Sequence, residues 1–133
     1  MWWNWKLKAI PTSSSGDIRV VNLGCWRDTS HRAIQSLERR HYLLQDYYIT
    51  RSYPFNKCMD AARSFGYQVF ALQHGGQCFS AWDAGSTYTR YGRSIDCGSD
   101  GEGGGWANQV YKMLKFGEFR CLFSSLIVTI CFF

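Results

Sequence analysis

Residues Pro54 to Ala81, PFNKCMDAARSFGYQVFALQHGGQCFSA, leave few choices of local structure. Pro54 suits a first helical turn, where its missing N–H has no partner to lose, and Ser52 is the expected capping side chain. Phe55, Cys58, Met59, Ala62 and Phe65 recur at three- and four-residue spacing and mark one apolar face. Asn56, Lys57, Asp60, Arg63 and Ser64 fall mostly on the other face, and Gly66 supplies the left-handed residue that ends a helix. The spacing predicts a helix over about 54–66.

After the glycine, Tyr67–Gln73 is aromatic and β-branched, short, and bounded by glycines, which predicts a mostly buried strand. Gly75-Gly76 makes a turn, and Gln77–Ala81 returns as the next strand. Cys58 shares the face of Phe55 and Phe65, so it looks toward the sheet that carries Cys78. A Cys58–Cys78 bond is expected, worth roughly 3 kcal/mol in the chain-entropy account.

The chain has 133 residues, which is one domain with tails, and a domain of this size often needs covalent staples. Its six cysteines stand at 25, 58, 78, 97, 121 and 131. None is spaced as CxxC, which argues against a zinc ribbon or a thioredoxin-like redox pair. The first four lie within the glycine- and aromatic-rich body, an even number that suits two disulfides in an oxidising compartment. Cys121 and Cys131 lie outside that framework. The net charge of +5 invites a nucleic-acid reading, but Lys and Arg are scattered and only Arg39-Arg40-His41 cluster. That is thin for a phosphate-tracking groove, so nucleic acid is not an expected partner.

Taken in order, residues 1–17 carry Trp2, Trp3 and Trp5 interrupted by Lys6 and Lys8, with no continuous apolar run of a signal peptide. Thr12–Gly16 reads as a linker, and the segment as a disordered or wrongly predicted start. The body spans 18–114. Ile18–Trp26 reads as its first strand, Ala33–Leu37 as a short strand or a helical turn, and Glu38–Arg51 as a long, tyrosine-rich loop. Trp82–Gly92 reads as a loop with a helical turn over Thr87–Tyr91. Cys97 leads into a glycine- and acid-rich turn, and Trp106–Tyr111 into the closing strand. Pairing of the closing and opening strands brings Cys25 within reach of Cys97, for about 4 kcal/mol on the same account. In the tail, 115–133, the apolar run Leu122–Phe133 is too short for a membrane span of roughly 20 residues. It reads as a truncated membrane segment, hence a membrane tether, or as a translated non-coding extension.

Several of these residues together resemble a known family. They are Leu23-Gly24-Cys25-Trp26-Arg27-Asp28, Arg32-Ala33, the helix bearing Cys58, Gly66-Tyr67 with Phe70-Ala71-Leu72-Gln73, Gly76-Gln77-Cys78, and Trp106-Ala107-Asn108-Gln109-Val110-Tyr111. From about Leu23 to Met113 the chain resembles the WSC domain, most closely the WSC-like modules of animal extracellular and matrix proteins. Those carry a Gly-Glu-Gly-Gly turn like Gly101–Gly104. The resemblance implies a PAN/apple-like α+β architecture, with a small twisted antiparallel sheet, one crossing helix, many loops and disulfide staples. It also implies carbohydrate binding at the cell surface or in the matrix, with glycans or glycoproteins as partners and no cofactor. WSC domains typically carry eight cysteines where this body has four; the family's second helix cysteine is replaced near Ala61-Ala62, and its Cys-x-Cys becomes Cys78-Phe79-Ser80.

Sugar rings stack their apolar faces on exposed aromatics, while their hydroxyls bond to short polar side chains. Trp82, Tyr88 and Tyr91 are the expected platforms, and His74, Gln77, Asp83 and Asn108 the expected hydrogen-bonding groups. Trp26, Trp106 and Tyr111 read equally as core. Asp96, Asp100 and Glu102 could hold Ca²⁺ with carbonyls of the glycine turn, although the spacing is not that of an EF-hand. A His74–Cys78 thiol–imidazole pair and an Asp83/Glu102 glycosidase pair are conceivable catalysts, outweighed by a structural disulfide and by the lack of an obvious cleft. The expectation is therefore a non-catalytic extracellular glycan-binding module. The alternative is a structural or adhesive module that binds matrix proteins.

Overall fold

The computed structural model describes residues 18–115, 120–123 and 129–132. Arg19–Leu114 form one compact unit. It is built from β1 (Ile18–Arg27), α1 (Pro54–Ser64), β2 (Val69–Gln73), β3 (Gln77–Ser80), the single-turn α2 (Ala84–Thr87) and β4 (Ala107–Lys115). The four strands form one antiparallel sheet in the order β1-β4-β2-β3, so the closing strand does lie beside the opening one.

The N-terminus of α1 differs from expectation. Tyr53, at a left-handed φ of 51°, is the N-cap and no side chain caps the helix. Proline at the next position has no N–H to satisfy, and Lys57 N–H closes the first turn on the Tyr53 carbonyl at 3.1 Å. Ser52 is drawn aside instead, its hydroxyl accepting from Lys57 Nζ at 3.3 Å. The C-terminus ends in a Schellman closure: Gly66 (φ 78°) donates to the Arg63 carbonyl at 2.9 Å, and Tyr67 N–H to that of Ala62 at 3.0 Å. That closure uses up Gly66 and Tyr67, which is why β2 starts at Val69 rather than Tyr67. It also leaves Phe65 at the cap and 40% exposed, stacked on Tyr67 with ring centres 5.6 Å apart, not on the inward face expected of it.

The sheet is covered on both faces, and β2 is buried along its whole length. Phe70 and Tyr111 are cross-strand partners and meet Phe55 of α1 in a three-ring cluster with centroids 4.9–5.4 Å apart. Cys58 of α1 bonds Cys78 of β3 on this face, and both are fully buried. On the other face Val69, Ala71, Phe79 and Val110 pack with Ile34 and Ala84, flanked by Leu23, Trp26 and Tyr88. Burial of Ala84 there places the helical turn at Ala84–Thr87, earlier than the expected Thr87–Tyr91.

Two irregular segments extend the sheet. Ala33–Leu37 is neither a full strand nor a helical turn: Ser80 N–H donates to Gln35, and Leu37 N–H to Cys78, each at 2.9 Å, along the free edge of β3. Residues 92–94 pair likewise with β1, where Arg27 N–H reaches the Gly92 carbonyl at 2.9 Å and Ser94 N–H that of Cys25 at 3.1 Å. Beside this edge, Cys25 is bonded to Cys97.

The remaining described residues, β5 (Arg120–Phe123) and β6 (Thr129–Phe132), form an antiparallel hairpin with Cys121 and Cys131 in register. Among the described residues no helix is long and apolar enough to cross a membrane. The linker expected within residues 1–17 lies outside the described residues.

Candidate functional site

The residues expected to form one sugar site are not gathered into one. His74 and Gln77 flank the β2–β3 turn, whereas Trp82 and Asp83 follow β3 at the opposite end of that hairpin. Trp82 is 85% exposed, with no aromatic partner among the described residues. Tyr88 is turned inward, edge-on to Trp26 at 5.1 Å, and packs half-buried against the core. Tyr91 spends its hydroxyl on the His31 carbonyl. Asn108 is fully buried, its side-chain oxygen accepting from Gln73 Nε2 at 2.9 Å, so it faces no solvent-borne ligand. Alternation along β4 explains this: Asn108 shares the face of core residue Val110.

The conceivable catalytic pairs are likewise not assembled. Cys78 is in a disulfide and has no thiol to offer His74. Gly75 N–H donates to the Glu102 carbonyl at 3.4 Å, which puts Glu102 at the turn end of the hairpin, away from Asp83. The expected calcium triad is not assembled as a ligand set among the described residues. Asp96 takes the Ser94 hydroxyl at 3.3 Å, Asp100 takes Glu102 N–H at 3.0 Å, and no group of three metal-ligating side chains forms among the described residues. Burial, with Asp100 adding to it, raises the pKa of the Glu102 carboxyl.

A groove lies elsewhere, between the loop at His41–Leu43 and the outer face of α1. It has a volume of about 430 Å³ and is lined by His41, Tyr42, Leu43, Asp60, Arg63 and Ser64. A 3-10 turn at Tyr42–Leu44 shapes its loop wall, with His41 Nδ1 accepting from Leu43 N–H at 3.2 Å and Leu44 fully buried beneath. Gln45 Nε2 ties the Arg39 and His41 carbonyls, each at 3.1 Å. The Tyr42 ring is 79% exposed and lies 4.5 Å from His41, which meets Phe65 edge-on at 6.0 Å. Opposite, Asp60 and Arg63 form a loose, exposed ion pair at 3.7 Å, and Ser64 donates to the Ala61 carbonyl at 2.7 Å. An aromatic face, a carboxylate, a guanidinium and a hydroxyl therefore border one concavity of the size small-molecule sites have.

Behind the groove, the long tyrosine-rich loop expected at Glu38–Arg51 is held by Arg51, whose side chain is fully buried. Arg51 pairs with both Glu38 oxygens at 2.8 Å and Asp46 Oδ1 at 2.7 Å, and donates to the Gly76 carbonyl at 3.0 Å. Burial works against its charge, but Glu38 and Asp46 outweigh it and raise its pKa. Its hydrogen bond in turn holds the Asp46 carboxyl below the ordinary value, with Lys57 adding to this and desolvation opposing it. Gly76 allows the close approach of this loop, since a Cβ there would stand 2.6 Å from the Tyr48 carbonyl oxygen.

A second polar assembly closes the far sheet face. Buried Asp28 accepts from Ala33 N–H at 2.9 Å and from Arg32 and Gln73 Nε2 at 2.8 Å each. The Arg32 guanidinium lies over the rings of both Phe79 and Trp106, at 5.2 and 4.8 Å from their centres. Trp106, ambiguous in the sequence, is 55% exposed at a left-handed φ of 55°.

Comparison with protein-family models, with curated proteins and with solved structures finds no match.

Proposed function

We propose that the chain is a non-catalytic, extracellular carbohydrate-binding module whose groove between Tyr42 and Arg63 takes a sugar ring. The observation that carries this reading is the exposed Tyr42 ring standing over a cavity of about 430 Å³ bordered by Asp60, Arg63 and Ser64. The ring offers its face to the sugar's C–H groups, Asp60 accepts from hydroxyls, and Arg63 donates to ring or hydroxyl oxygens. The two disulfides are compatible with an extracellular location. The resemblance to WSC modules supports the same class of ligand.

The second reading, an adhesive module for matrix proteins, draws on a different observation. Tyr47, Ile49 and Tyr53 are exposed by 61, 48 and 76% on one short loop, an apolar set suited to a protein partner. A glycan array probed with disulfide-intact protein separates the two. Binding of a sugar class that is lost in Tyr42→Ala and in Asp60→Asn supports the groove. Absence of binding to every sugar, or binding that survives both substitutions, contradicts it; retained binding to a matrix protein then favours the adhesive reading.

A further inference from the structure

Arginines that are scattered in the sequence are brought together by the β1 edge. Besides the backbone pairing of residues 25–27 with 92–94, Arg27 Nε donates to the Arg93 carbonyl at 3.2 Å, and Arg90 donates to the Arg32 carbonyl at 3.2 Å. Four guanidinium-bearing residues separated by up to 66 positions thus border one strip of surface, with exposed His31 beside them. Two of them sit over indole rings. Arg93 is 4.8 Å from the centre of Trp26, and Arg32 is 4.8 Å from that of Trp106. Stacking fixes these long side chains, so they lose less freedom when they bind.

Three of the four charges on this strip are left uncompensated. Arg32 pairs with Asp28 at 2.8 Å, whereas Arg27, Arg90 and Arg93 have no carboxylate within ion-pair distance among the described residues. Arg27 and Arg90 donate to neutral carbonyl groups, which leaves guanidinium N–H groups free to face an anion. A flat guanidinium grips a sulfate or phosphate through two parallel hydrogen bonds, and a row of them suits an anion repeated along a chain.

We propose that the strip formed by Arg27, Arg32, Arg90 and Arg93 binds a sulfated polysaccharide. This site shares no residue with the groove and stands or falls apart from it. A sulfated sugar chain fits better than a nucleic acid because the half-exposed Trp106 ring borders the strip, ready for a sugar face, and because the Cys25–Cys97 bond beside it suits an oxidising compartment.

The test compares retention on immobilised heparin, and affinity for heparin fragments in solution, between the parent and the triple variant Arg27→Ser/Arg90→Ser/Arg93→Ser. A charge-matched control, Arg39→Asn/Arg40→Ser/Lys112→Ser, removes the same charge from residues that line neither the groove nor the strip. Thermal melting and non-reducing mass mapping establish that each variant is folded; should the triple fail to fold, the exposed single variants Arg90→Ser and Arg93→Ser replace it. The strip variant should lose affinity about tenfold or more, while the control stays within about threefold of the parent. N- and O-desulfated heparin should not bind. Equal losses in both triples would reduce the effect to net charge and overturn the proposal. Unchanged binding in the strip variant would overturn it as well, and tighter binding to single-stranded DNA than to heparin would reassign the strip to nucleic acid.

Discussion

At the scale of single residues, Arg51 matters most. Its buried guanidinium joins Glu38, Asp46 and the Gly76 carbonyl, tying the groove loop to the β2–β3 turn. Arg51→Ala would strand Glu38 against a largely buried site and should cost about 3–5 kcal/mol, read from urea unfolding. Arg51→Lys should recover little, because an ammonium cannot repeat the two-pronged bond to Glu38. Asp46 sets a pH dependence of known sign. The folded chain releases the Asp46 proton more readily than the unfolded chain, so its pairing stabilises above the ordinary aspartate pKa and is lost as pH falls through the folded value. Asp46→Asn should therefore flatten the acid limb of the stability curve. Glu102 has the opposite sign. Its raised pKa means that stability present in acid is lost as pH rises through the folded value. Glu102→Gln should melt higher than the parent near neutral pH and equally well in acid. Gly103 admits no side chain: at φ 73° a Cβ would collide with the Leu72 carbonyl and stand 2.6 Å from that of Ala107. Gly103→Ala should destabilise by about 2 kcal/mol or more in the same unfolding measurement.

At the scale of elements, the sequence was most legible where local chemistry and tertiary packing agree. Pro54, the apolar spacing and Gly66 all specify α1, and the Cys58 face of that helix meets Cys78 as its position implied. Legibility failed where packing overrode local preference. Ala84-Gly85-Ser86-Thr87 is a poor helix former, yet it turns once because Ala84 fills the core beside Ile34 and Phe79. Asn108 looked free to bond a ligand because nothing in a single strand reveals that β2 will set Gln73 against it. The groove was hidden for a related reason. Asp60, Arg63 and Ser64 read as the solvated side of an amphipathic helix, and only the fold of the loop at His41–Leu43 gives them a facing wall. The arginine strip was equally invisible, since its members meet only through the pairing of β1 with residues 92–94.

At the scale of the whole molecule, the described body is a two-faced sheet locked by two covalent links of different reach. Cys58–Cys78 spans 20 positions and pins α1 to β3, while Cys25–Cys97 spans 72 and ties the opening strand to the segment before the glycine turn. Cys25→Ser/Cys97→Ser should cost about 4 kcal/mol and the Cys58/Cys78 counterpart about 3, on loop-closure grounds. The second should cost more than loop closure alone if the vacated, fully buried site repacks poorly, and thermal melting of both doubles gives the order. The groove rests on α1, so sugar binding should fall with loss of Cys58–Cys78 before it falls with loss of Cys25–Cys97.

The most direct test of the groove as a sugar site is an amide-resolved NMR titration of the disulfide-intact protein with the sugars selected by the array. The expected result is saturable shifts concentrated at His41–Leu43 and Asp60–Ser64, absent in Tyr42→Ala. Saturable shifts that leave those two segments unmoved, or no shift with any sugar, would contradict it.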